Sequence, residues 1–194
     1  MLDLLNELEQ AGITRNKEQS AKMLRNLLAT APRLVRSYPE PIIKVLLPKL
    51  SDHSQSVVSP VLAAIGEQAS VCGLEMRKWI DKLFPIILDA IQDSSSNQKR
   101  EAALWALGQL VENSGYVVEP YWKYQNLLDI LFDLLKSEQA KKKTQIRIQV
   151  IRVLGLIGAV DPYRHKVNLG VIDQSGEPSC VSDDIEQGNC LFDN

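Results

Sequence analysis

The chain has few of the residues that usually carry chemistry. It holds two histidines, His53 and His165, which are 112 positions apart, and neither lies near a cysteine. Its three cysteines, Cys72, Cys180 and Cys190, show no metal-ligand spacing, and so sparse and odd a count suits a reducing compartment better than a disulfide framework. No GxxxxGK, GxGxxG or GxSxG string occurs, nor any of the HRD, DFG and VAIK signatures of a protein kinase. These absences leave no candidate catalytic, cofactor-binding or metal-ligating residue. The opening MLDLLNELEQ lacks the basic start of a secretory signal. The longest apolar run, Val153 to Val160, is far short of the roughly 20 residues a membrane span needs. Cytoplasmic or nuclear residence without membrane insertion is therefore expected. Beyond Asn168 there is no Lys or Arg at all, only six acids, whereas residues 1–168 hold all 22 basic residues against 18 acidic ones.

What the chain has in quantity is helical periodicity. Met76, Trp79, Ile80, Leu83, Ile87 and Ile91 fall on one stripe of a helix. Leu127, Ile130, Leu131, Leu134 and Leu135 form a second, and Ile146, Val150, Val153, Leu154 and Ile157 a third. The pattern also repeats. AAIGEQA (63–69), WALGQLV (105–111) and VLGLIGA (153–159) place Gly66, Gly108 and Gly155 in register at spacings of 42 and 47. Asp52, Asp93 and Ser137 give 41 and 44, while Pro48 and Pro85 give 37, one helical turn out. A repeat of about 40–47 residues with two helices is the signature of the HEAT and armadillo class, in which one hairpin cannot bury both apolar stripes alone and stacking does it instead.

The expected fold is thus an all-α, HEAT/armadillo-like α-solenoid of about four helical hairpins over residues 1–168. The units run about 1–37, 38–72, 73–115 and 116–165. Helices are expected near 2–10 and 17–36, 39–51 and 55–70, 75–93 and 97–113, and 120–137 and 144–160. Residues 169–194, which hold Gly, Pro, Ser and acids with few long apolar side chains, are expected to form a flexible tail or insertion. A glycine at the landmark position lets a neighbouring helix backbone come close, so Gly155→Leu is expected to destabilise.

Two segments invite a contact role. In PYWKY (120–124), Tyr121, Trp122 and Tyr124 cannot all face one stripe, which leaves them as a partner contact or as an inter-repeat packing cluster. Lys141, Lys142 and Lys143 read as a solvated inter-helix loop, or as a contact for nucleic acid, phospholipid headgroups or an acidic partner. The lysine run lacks the interleaved aromatics of a single-strand-binding groove, and no nucleic-acid partner is expected. Lys99, Arg100 and Glu101 read as a polar helix start. Trp79 and Trp105 read as core.

Several strings go beyond generic periodicity. GLEMRKWIDKLFPIILDAIQDSS (73–95), KREAALWALGQLVENSGYVVEPYWKY (99–124) and IRVLGLIGAVDPYRHKVNLGVIDQS (151–175) closely resemble the target-of-rapamycin (TOR) kinase family. GYVVEPYWKY and VLGLIGAVDPYRHKVN are the most specific of them. The lysine run departs from the usual family loop, and Trp122 stands where a basic residue is expected. The resemblance implies the N-terminal HEAT-repeat region of a serine/threonine kinase that controls growth in response to nutrients. The kinase domain, with its ATP and divalent metal, is absent, so this segment is expected to bind and space rather than catalyse. Implied partners are raptor-type or rictor-type adaptors, a small GTPase activator and the rest of a TOR chain in a homodimeric parent. A family association with lysosomal or other endomembrane surfaces or the nucleus is implied as well. The alternative is an independent HEAT-repeat adaptor or scaffold.

Overall fold

The structure, a computed structural model, describes residues 2–136 and 144–157. Every regular element among them is helical. Helices α1 (Leu2–Gln10) and α2 (Thr14–Thr30), with the short α3 (Pro32–Val35), open the array. The second hairpin is α4 (Pro39–Lys49) and α5 (Gln55–Cys72). A 3₁₀ turn (Gly73–Met76) leads into α6 (Arg77–Gln92), which pairs with α7 (Asn97–Ser114). In the last hairpin the first helix is divided into α8 (Glu119–Lys123) and α9 (Leu127–Lys136), and α10 (Thr144–Leu156) is the second.

Local chemistry sets these boundaries. Pro32 and Pro39 begin helices where their missing N–H costs nothing, and Pro32 disfavours helix at Ala31 before it. The expected helix 17–36 is therefore two helices broken at Ala31. Gly73 and Gly115 end α5 and α7 at φ of 56° and 67°, a region only glycine enters cheaply. Ser96 starts α7, its hydroxyl accepting the Lys99 N–H at 3.2 Å. The expected helix 120–137 is also broken: Tyr124 leaves helical geometry at ψ 77° and donates its N–H to the Pro120 carbonyl, and α9 begins at Leu127.

The second helices of the hairpins form the denser layer: α5 packs on α2 and α7, and α7 on α10 and α6. Leu24, Leu28, Leu62, Ile65, Leu104, Leu107, Val150 and Val153 are all fully buried there, and each such side chain contributes about 1.5–3 kcal/mol on leaving water. By length and composition the stretch Gln55–Gln92 is apolar enough to cross a membrane, but 72% of its most apolar window is buried within the protein. Its apolarity is used for stacking.

The repeat landmarks acquire structural meaning. Asp52 and Asp93 sit at matching turns, each accepting the N–H of the serine two residues on, Ser54 and Ser95, at 2.9 Å. Pro48 lies in the last turn of α4 and Pro85 in the middle of α6, which explains their discordant spacing. Gly66, Gly108 and Gly155 all lie on second helices, but no neighbouring backbone approaches them closely. A Cβ at Gly66 would lie 2.3 Å from the Trp105 ring, one at Gly108 would meet Val153 and Leu156 at 3.6–3.8 Å, and one at Gly155 would meet nothing within 4 Å among the described residues. The expectation for Gly155→Leu rested on a close backbone approach that no described residue makes.

Candidate functional site

Two concave features stand out, one on each layer of helices. The first surrounds the break between α8 and α9. Tyr124 stacks on Phe84 of α6 with ring centroids 4.3 Å apart and planes 13° from parallel, and Tyr116 meets the same ring edge-on at 6.2 Å. Phe84 is fully buried, so Tyr124 anchors the α8–α9 corner to the preceding hairpin. Burial raises the phenol pKa of both tyrosines. Lys123 pairs with Asp81, whose hydrogen bond raises the ammonium pKa, and Arg77 donates to Glu119 at 3.4 Å and to the Ser114 carbonyl at 3.1 Å. Beside this cluster is a cleft of about 430 Å³ lined by Pro85, Leu88, Asp89, Lys123, Tyr124 and Ile130. Tyr124 thus combines packing with exposure to a cleft. Tyr121 and Trp122 occupy α8, but their side chains lie outside the described residues, as do Lys141, Lys142 and Lys143.

The second feature is on the second-helix layer, where α2, α5 and α7 line a groove of about 570 Å³ that also reaches Gln149 of α10. Trp105 is its aromatic wall. One edge of the ring fills the space over Gly66, and the Arg25 guanidinium lies 5.6 Å from the ring centroid. Sequence periodicity alone reads Trp105 as core. The missed signal was Gly66 itself, a small residue on the facing helix that makes room for the ring.

Arg100 was misread as part of a polar helix start. It is 4% exposed and donates to the Ile91 carbonyl at 3.0 Å and the Asp93 carbonyl at 3.1 Å, satisfying the end of α6 from inside α7. His53 is exposed in the α4–α5 turn, and His165 lies outside the described residues. Among the described residues no group of three His, Cys, Asp or Glu side chains could hold a metal ion. The arrangement offers surfaces and anchors, and several of its polar groups cap turns or link hairpins.

These hairpins, their matched turns and their spacing define the class: a HEAT-repeat α-solenoid. The HEAT-repeat family profile matches residues 83–114, and a profile described as the serine/threonine-protein kinase mTOR domain matches residues 117–189. The crystal structure of an engineered protein shares the fold at a TM-score of 0.69 and 15% identity, over 87% of this chain and 68% of that one. Serine/threonine-protein kinase mTor of Drosophila melanogaster is 49% identical over 177 residues, 89% of this chain. Serine/threonine-protein kinase tor1 of Schizosaccharomyces pombe is 42% identical over 89% of the chain, and TOR2 of Saccharomyces cerevisiae 40% over 86%. The chain is a TOR-family helical-repeat segment, and it spans about 7% of the length of each of these kinases.

Proposed function

We propose that this chain is a non-catalytic scaffold segment of a TOR-like serine/threonine kinase, one that offers protein-binding surface in nutrient-responsive growth signalling. The observation that carries this reading is the 49% identity to a TOR kinase over 89% of a chain built as stacked hairpins. A solenoid exposes a long surface for its mass, and its helices hold that surface at fixed spacing. Raptor-type or rictor-type adaptors are the partners this reading favours, with the Tyr124 cleft as one contact site. Phosphoryl transfer would belong to a kinase domain elsewhere in the parent.

The test is a replacement. The matching segment of a TOR kinase is exchanged for this sequence, and adaptor co-precipitation and kinase activity are measured. Both are expected to persist. Loss of adaptor binding from a correctly folded exchange would refute the scaffold role. Peptide phosphorylation by the purified 194-residue chain would refute the non-catalytic reading.

A further inference from the structure

Helices α1 and α2 at the start of the array carry opposite charge, and α10 at its far end is basic. In the first-helix layer, α1 has Asp3, Glu7 and Glu9 and no basic residue. In the second-helix layer, α2 carries Arg15, Lys17, Lys22 and Arg25 against Glu18 alone, and α10 carries Arg147 and Arg152 with no acid. The groove at Trp105 lies between these two basic helices.

We infer that this groove binds an extended acidic peptide segment of a partner protein, with Lys22 and Arg25 receiving its carboxylates and Trp105 packing against its side chains. This builds on the protein-binding reading above but does not depend on which adaptor is involved. Lys22 and Arg25 are available for the role. Their side chains are 48% and 47% exposed, and their intrachain partners are Glu18 one helical turn away and Glu67 at 3.7 Å. Such exposed pairs are weak, and an incoming carboxylate exchanges with them at little cost. Small side chains, Ser59, Ala63 and Ala102, are part of the lining. Asn26, Gln98 and Gln149 contribute neutral amides that can both donate to and accept from a peptide backbone. An extended chain sends successive side chains to opposite sides. Alternate side chains on one side can therefore face Lys22, Arg25 and the Trp105 ring beside Arg25, while the others point to solvent. With Lys22 and Arg25 set against Glu101, the charged lining favours an acidic ligand over a basic one.

The experiment titrates the full 194-residue chain into a short fluorescein-labelled Glu-Ser repeat peptide and follows anisotropy, with a Lys-Ser peptide of the same length in parallel. The acidic peptide is expected to bind, and to bind more weakly as salt rises from about 50 to about 200 mM. The Lys22→Glu/Arg25→Glu variant should weaken binding by about tenfold or more. A Lys44→Glu/Lys78→Glu variant makes the same change in net charge on the first-helix layer and should leave binding unchanged. All four positions are exposed, and matched thermal melts confirm folding. In a Trp79→Phe/Trp122→Phe background, the acidic peptide should shift Trp105 emission. The proposal is overturned if the acidic peptide does not bind, if the Lys-Ser peptide binds as well, or if both charge-reversal variants lose affinity equally. Adaptor binding that survives Lys22→Glu/Arg25→Glu would leave the scaffold reading standing, so the two can fail separately.

Discussion

Gly66 gives the sharpest test of how the hairpins are stacked. An alanine there gains up to about 1 kcal/mol of helix propensity. Its Cβ, however, would lie 2.3 Å from one carbon of the Trp105 ring and 2.7 Å from another, against a normal contact of about 3.5–4 Å. The ring has to retreat by more than about 1 Å, and Arg25 is packed nearby. Overpacking of this kind costs about 1–3 kcal/mol. Gly66→Ala should therefore be net destabilising, by about 1 kcal/mol or slightly more, lowering Tm by about 2–4 °C. Gly108→Ala meets Val153 and Leu156 at ordinary contact distance, and Gly155→Ala meets none of the described residues, so both should stabilise by about 0.5–1 kcal/mol. Three glycines at one repeat position thus receive opposite signs. Urea unfolding followed by far-UV circular dichroism measures all three. A double variant isolates the cause: with Trp105→Leu already present, Gly66→Ala should lose its penalty. If Gly66→Ala stabilises as much as Gly108→Ala, the Trp105–Gly66 contact is not what joins these hairpins.

Arg100→Met should cost about 2–4 kcal/mol, because it strips the buried guanidinium from the Ile91 and Asp93 carbonyls; chemical unfolding reads the loss, and a near-neutral result would contradict the buried cap. Tyr124→Ala should cost about 2 kcal/mol through the lost stack on Phe84, while Tyr124→Phe stays within about 0.5 kcal/mol; equal effects of the two would mean that the hydroxyl, not the ring, matters. The Lys17 ammonium and the Ser54 N–H hold the Asp52 carboxyl below its usual range, and Lys99 with Ser95 does the same for Asp93. A depressed folded-state pKa means that the stabilisation is complete above the unfolded value of about 3.9 and is lost as pH falls below it. Asp52→Asn and Asp93→Asn should accordingly flatten the acid limb of the stability–pH curve, and an unchanged limb would refute the assignment.

The repeat was legible because apolar stripes and turn residues recur at fixed spacing, and one-dimensional spacing is what a solenoid writes into its sequence. The second-helix starts near 55, 97 and 144 follow from that pattern and coincide with α5, α7 and α10. Contacts that depend on depth were not legible. Trp105 and Gly66 meet across two helices, and neither residue alone announces the other. Arg100 looks like any exposed base at a helix start until the α6 carbonyls are seen above it. The break at Tyr124 follows from a tertiary stack on Phe84, which periodicity within 120–137 cannot show. Of the candidate contact residues Tyr121, Trp122 and Tyr124, only Tyr124 has a described side chain, and its role is divided between packing and the cleft.

The polar contacts between hairpins have a regularity of their own. Lys17–Asp52, Arg25–Glu67, Lys123–Asp81, Arg77–Glu119 and Arg152–Glu112 each join residues about one repeat apart, and Gln55 donates to Ser95 across 40 positions. Most are partly or largely exposed, and exposed pairs contribute about 0–1 kcal/mol each, so they are not what holds the array together. Burial between second helices does that, through a layer of Leu, Ile, Val and Ala whose chemistry repeats from turn to turn. Ion pairs are less tolerant: a slip of one helical turn, about 5.4 Å, would break all of them together. Their contribution is to register, and register is what a binding surface made from several hairpins requires. The groove at Trp105 draws side chains from α2, α5, α7 and α10, so its shape exists only while those four helices keep their places.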